Sequence, residues 1–373
     1  MGEDSGTAEV RIRQDAVSSP WFDSFGNVPN DSGFLDETMR PGRHSVTRHA
    51  GPGQNGVYRV PPPLDAAVLF NRVPNPTQSG WRRAVHALTA GRINPGQSAR
   101  QREQAQKLER IAVPITGDFR VAVLSIKGGV GKTTTTLGLG SVFARNRTDR
   151  VIAVDANPDR GTLAQRVQEH STATVGGLLA DPLIERYSDV RAYTRGSNSR
   201  LEVLGSDPDP SVADAFGESD YRRAVEVLHN YYSIILSDCG TGILHSAMAG
   251  VLDLAHAVVV VSAPSLDSMK SAAATLKWLT LHGYSGLSRE SHLVISASRP
   301  GSSGLQLDKV KEHFAARCRS IHLIPFDPHL AEGGEVDIEL LKPATHSAYV
   351  DLAAAIADRF VGPVPAHAPV PVR

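Results

Sequence analysis

A doubly wound α/β domain with a mostly parallel sheet is the fold class that this sequence predicts. Three observations carry the prediction. From Phe119 onward, short apolar runs alternate with helix-prone segments. The runs are continuously apolar rather than alternating, as in strands buried on both faces. The first of them ends in a glycine-rich loop, KGGVGKTT, that opens a helix.

The elements follow in order. Strands are expected at 120–126, 150–155, 200–204, 232–238, 256–262, 292–297 and 320–324. Helices are expected between and after them, at 132–146, 160–170, 218–230, 243–251, 266–282, 306–318 and 346–360. Before this domain, residues 1–80 are rich in Gly, Pro, Asn and Ser and lack sustained periodicity, so a mostly disordered region is expected. Residues 81–118 form a basic helical lead-in: Trp81, Val85 and Leu88 stand at helical spacing, and 97–110 is polar and helix-prone. Its Arg82, Arg83, Arg92, Arg100, Arg102, Lys107 and Arg110 outnumber Glu103 and Glu109. That charge suits a solvated helical face packed on the next domain, or a dock for acidic protein, lipid headgroups or nucleic acid. The domain proper is expected over 119–362, with a Pro-rich tail at 363–373.

Composition bounds the function. Of 373 residues, 39 are Lys or Arg and 39 are Asp or Glu, so net charge gives no argument for a polyanionic partner. The two cysteines, Cys239 and Cys318, make neither a disulfide framework nor a metal cluster, which suits a reducing cytosol. Neither a signal peptide nor an apolar run of transmembrane length is evident, so a cytoplasmic protein without stable membrane insertion is expected.

The run RVAVLSIKGGVGKTT carries the strongest chemistry. Gly128, Gly129, Val130 and Gly131 offer backbone N–H groups that close around phosphate oxygens, and the following helix adds its dipole and unpaired donors. Lys132 reaches the terminal phosphates, the Thr133 hydroxyl can ligate Mg²⁺, and Thr134 continues the helix start. In YYSIILSDCG an apolar strand ends in Asp238, suited to anchoring a Mg²⁺-bound water beside Thr133. Cys239 reads as a small packed residue.

The pattern K-G-G-x-G-K-T-T resembles the deviant Walker A motif of the MinD/ParA family of P-loop ATPases. The resemblance extends over about 120–360 and implies that family's fold, with ATP and Mg²⁺ as cofactors and ATP hydrolysis as the activity. It implies that Lys127 crosses the interface of an ATP-dependent homodimer to touch the partner's phosphates. DCGTG resembles the family's Walker B and switch II, without the usual Pro after Asp238. VDANPDRG resembles its switch I, often V-D-x-D-P-x-x-G. Asp155 then stands near Mg²⁺, and Asn157 replaces the aspartate that orients the attacking water. An amide accepts a hydrogen bond but is a far weaker base, so slow or partner-dependent hydrolysis is expected. Asp159 stands two positions further on.

The base pocket is less defined. HLVISASRP brings Ser296 and Ser298 where the family often has an adenine-reading Asn. IPFDPHLAEGGEVD resembles the family's late loop, whose backbone around Pro325 and Asp327 lines the base. The segment WRRAVHALT resembles the lead-in of MinD-like ATPases linked to type VII secretion in actinobacteria, which implies protein partners at a secretion or positioning apparatus. Two rivals differ in class. A chromosome- or plasmid-partition ATPase would bind DNA non-specifically, through cations such as Arg299, Lys309, Lys311, Arg317 and Arg319. A nucleotide-binding scaffold would have no useful turnover. A membrane-positioning ATPase is disfavoured, because THSAYVDLAAAIADRF has only Arg359 as a fixed cation.

Overall fold

The computed structural model describes residues 99–157, 161–169, 171–209, 213, 216–301 and 306–360. The expectations for residues 1–98 and for the tail lie outside them. In chain order the helices and strands are α1 (Ala99–Ile111), β1 (Phe119–Leu124), α2 (Lys132–Asn146), β2 (Val151–Ala156), α3 (Val175–Ala180) and α4 (Tyr187–Arg191). Then come β3 (Arg195–Gly196), β4 (Glu202–Leu204), α5 (Glu218–Leu228), β5 (Ile234–Cys239), α6 (Ser246–Leu254), β6 (Ala257–Ser262) and α7 (Leu266–Leu281). The last are α8 (Ser285–Arg289), β7 (His292–Ser296), α9 (Leu307–Phe314), β8 (Ser320–Ile324), α10 (Pro328–Ala331) and α11 (Pro343–Ala357).

The eight strands form one sheet in the order β3-β4-β2-β5-β1-β6-β7-β8. Every pairing is parallel except the short β3–β4 pair. The central strands β2, β5 and β6 are buried at every residue, which is why VIAVDA, IILSDC and AVVVVS read as unbroken apolar runs closed by a polar residue. Chain order reverses across β1: β5 lies on one side of it and β6 on the other. A crevice at the strand C-termini is therefore expected beside β1, and the glycine-rich loop leaves from that end.

The seven expected strands are all present. The expected helix at 160–170 is not: the chain makes a single 3-10 turn, Leu163–Arg166, and is extended again at Val167. Asp155 explains the early stop, since its carboxylate accepts the Leu163 N–H at 3.2 Å and ties the turn to the end of β2. Propensity alone gave no sign of that tether.

Helix α1 matches the polar helix-prone stretch, and its cations are partly consumed by packing. Lys107 pairs with Asp351 at 2.8 Å, and Arg110 pairs with Asp358 at 2.8 Å and donates to the Ala354 carbonyl at 2.8 Å. Ile111 is buried in the core. For this part of the basic stretch, a face packed on the domain is the arrangement found. Helix α11 buries Tyr349, Val350, Leu352 and Ile356, so it belongs to the core rather than to an interface with lipid. Among the described residues no helix is long and apolar enough to cross a membrane.

Candidate nucleotide site

The site begins where β1 gives way to α2. Gly131 caps α2 with φ of 93°, a conformation an L side chain resists, so the sharp strand-to-helix turn needs glycine there. No side chain caps this helix and no acidic residue stands in its first turn. Its leading N–H groups thus face the cleft with Lys132 and without a competing anion, the arrangement that attracts phosphate. Burial pushes the Lys132 ammonium below its usual range, opposed by the nearby Asp238 charge.

Two carboxylates sit beneath the loop. Parallel pairing of β2 with β5 places Asp155 opposite Asp238 at the last-but-one position of each strand. Both are almost fully buried, at 1% and 2% exposure. Desolvation holds Asp155 well above the usual carboxylate range, with the Asp238 charge adding to it, against N–H donors at Asn157 and Leu163 and the Ser206 hydroxyl. Desolvation also raises Asp238, against a hydrogen bond from Thr133, the Lys132 charge, a hydrogen bond from Thr136 and the Arg166 charge. The Thr136 hydroxyl lies 3.1 Å from the Lys132 carbonyl and 3.2 Å from Asp238 Oδ1, so it fastens α2 to the end of β5.

Two neighbouring buried acids whose charged forms burial disfavours make a pair that a bound cation would stabilise. The donor set fits Mg²⁺: the Thr133 hydroxyl and these carboxylates are hard oxygen donors on one side of the phosphate loop. Among the described residues no group of three or more His, Cys, Asp or Glu could hold a metal alone. Phosphate oxygens and water would supply the remaining positions, as is usual for this ion. Gly161 also belongs to this arrangement, because a Cβ there would overlap the Asp155 carboxylate.

The cleft above has a volume of about 380 Å³ and brings together residues 129–134, Thr162, Ser296, Ser298, Pro325 and Asp327. The Asp327 carboxylate is already occupied, accepting N–H groups from His329 at 3.1 Å and Lys342 at 2.8 Å. It orders the late loop, and the cleft gains backbone rather than a free acid. Lys127 is placed beside the loop, where its ammonium forms an ion pair with Asp267 in the first turn of α7. Asn157 lies elsewhere. Its N–H donates to Asp155 Oδ1 at 3.2 Å, and it lines an adjacent cavity of about 340 Å³ with Ser206 and Asp207. Asp159 lies outside the described residues. Cys239 is buried and its thiol is pushed up by desolvation, so it is a packed, unreactive group.

One residue was missed from the sequence. Arg166 ends the 3-10 turn and points into the cleft, where its Nη1 donates to Thr134 Oγ1 at 2.8 Å. Among the described residues no ion pair involves it, and burial pushes its guanidinium below the usual range. A half-buried cation that touches the Thr134 hydroxyl at the phosphate loop, with Asp238 as the nearby opposing charge, is placed to meet an anion. No spacing rule marks it, because the turn rather than the helical period aims it.

Residues 121–340 match the CobQ/CobB/MinD/ParA nucleotide binding domain family. The chain is 36% identical over 286 residues to the ESX-1 secretion-associated protein EspI of Mycobacterium tuberculosis (strains H37Rv and CDC 1551), covering 76% of this chain and 43% of that protein. It thus spans less than half the length of those relatives. Among solved structures, a ParA family ATPase from Chlorobium tepidum TLS superposes with TM-score 0.53 at 18% identity, covering 64% of this chain and 98% of that one. The septum site-determining protein MinD of Pyrococcus horikoshii, complexed with Mg-ADP, superposes with TM-score 0.51 at 20% identity, covering 63% and 94%. The sheet order, the KGGVGKTT loop and the matched span agree: this chain belongs to the CobQ/CobB/MinD/ParA family of nucleotide-binding domains.

Proposed function

We propose that the chain is an ATP- and Mg²⁺-dependent switch whose dimerisation follows nucleotide state, and that it serves a secretion or positioning apparatus through protein partners. The observation that carries this reading is the register of β2 on β5, which sets Asp155 beside Asp238 under Lys132 and Thr133. In the proposed mechanism Gly128–Thr134 hold the phosphates and Lys132 neutralises the terminal ones. Thr133, Asp155 and Asp238 hold the metal, and the backbone of Pro325 and Asp327 lines the base. Lys127 exchanges its Asp267 partner for the phosphates of a second copy. The Mg-ADP complex of the MinD relative and the similarity to EspI support the cofactor and the secretion role.

Hydrolysis in this reading is slow. Asn157 carries no charge to orient water and sits over the adjacent cavity. Asn157→Asp should raise turnover, by on the order of tenfold or more, with ATP affinity little changed. Wild-type turnover that is already fast and indifferent to this substitution would remove the slow-hydrolysis element. Sizing the full chain with ADP, ATP and a non-hydrolysable analogue tests the switch. A dimer is expected with ATP and with the analogue but not with ADP, and Lys127→Ala should abolish it. A species indifferent to nucleotide, with Lys127→Ala behaving as wild type, would exclude the mechanism.

A further inference from the structure

A second concavity, of about 1090 Å³, opens between α7 and α9, with α8 along one side. Its floor is apolar, formed by Met269, Leu276, Val310 and Phe314, and the small Ala273 leaves room at the middle. The two ends of α7 add Leu266 and Leu281, exposed by 73% and 65%. Lys270, Lys277, Arg289, Lys309 and Arg317 border the groove, and among the described residues no carboxylate lines it. Among the described residues none of these five cations belongs to an ion pair. Arg319, just beyond the groove, is by contrast paired with Glu290 at 2.5 Å.

The shape selects the occupant. The volume slightly exceeds the usual range for small-molecule pockets. Helix α7 has 16 residues, so the groove's longer wall runs for about 24 Å. An apolar floor bordered by unpaired cations complements a helix with an apolar stripe flanked by Asp and Glu. Duplex DNA offers phosphates but no apolar ridge, so it would use the rim and leave the floor wet. We propose that the α7–α9 groove is a docking site for an acidic amphipathic helix of a partner protein. The inference is independent of the nucleotide reading, because none of the residues it uses was assigned to the phosphate cleft.

Display selection on the full chain tests it. A library of random peptides about as long as α7 is panned on wild type and counter-selected on the double variant Lys277→Glu/Arg317→Glu. Peptides with net negative charge and apolar residues at i, i+3 or i+4, and i+7 should be enriched. By fluorescence anisotropy, the best of them should lose on the order of tenfold or more affinity on the double variant. Ala273→Trp, which fills the floor without changing charge, should cause a similar loss. Arg289→Glu supplies a second charge reversal should the tryptophan disturb folding. ADP binding and thermal unfolding of the charge variants should match wild type, since both substituted side chains are exposed. No enrichment over the variant, or enrichment of peptides lacking acidic residues, would overturn the proposal. Binding of duplex DNA or phosphatidylglycerol vesicles that the charge reversal abolishes, without peptide enrichment, would also overturn it.

Discussion

Two sets of buried carboxylates occupy the same sheet and are treated in opposite ways. Glu202 on β4 accepts hydroxyl hydrogen bonds from Tyr187 at 2.6 Å, Tyr232 at 2.7 Å and Thr194 at 2.8 Å, with Arg191 3.9 Å away. Its oxygens are satisfied from within. Asp155 on β2 and Asp238 on β5, the next two strands, face each other, and burial holds both above the usual carboxylate range. The first is a finished structural network. The second sets two acids across neighbouring strands beneath the phosphate loop, and that pairing marks it as a site rather than as part of the core.

The comparison can be broken most severely at the phosphate loop. Lys132→Ala should weaken ATP binding by on the order of 10²-fold or more in calorimetry, because no other loop side chain neutralises the terminal phosphates. Glu202→Ala should leave nucleotide affinity unchanged. Arg166→Ala comes next: its contact with Thr134 predicts a loss of roughly tenfold for ADP and ATP alike. A loss confined to ATP would instead make it a sensor of the third phosphate.

Stability should respond unequally. Glu202→Ala strands two buried hydroxyls and one half-buried one and should cost about 2–4 kcal/mol in denaturant unfolding. Asp155→Asn keeps the uncharged form that burial favours but sets an amide NH₂ against one of the two N–H donors there, so the nucleotide-free protein should lose no more than about 1 kcal/mol while Mg²⁺-dependent binding suffers. Equal destabilisation by both substitutions would erase the distinction drawn between the two sets.

The smallest expected effect is a pH dependence away from the site. Burial pushes His292 down to about 3 and His322 down to about 4, and both contact the Ser320 hydroxyl at 2.7 Å. Their folded values lie below the unfolded value, near 6.5, so the stability they contribute is present above about pH 6.5. It should fall as pH drops toward 4, where the unfolded chain takes up the protons. His322→Gln should flatten that acid limb in unfolding measurements without altering nucleotide affinity.

The sheet was legible because buried parallel strands leave long apolar runs in the chain, and KGGVGKTT was legible because glycine, lysine and threonine at that spacing have one dominant use. β3 was not, since a two-residue antiparallel pair carries no periodicity. The turn at Leu163 and the aim of Arg166 were hidden because the Asp155 carboxylate sets them, a contact eight residues apart in sequence that no helical period encodes. Asn157 was visible as an odd letter. Its position over the cavity beside Ser206 and Asp207 was not.

The most direct test of the central claim, that Asp155 and Asp238 form the metal end of a nucleotide site, is calorimetric titration of ATP with and without Mg²⁺ into wild type and Asp238→Asn. Wild type should bind Mg·ATP on the order of tenfold or more tighter than metal-free ATP, and Asp238→Asn should lose most of that difference. Binding indifferent to Mg²⁺ in wild type, or a metal effect unchanged in Asp238→Asn, would contradict it.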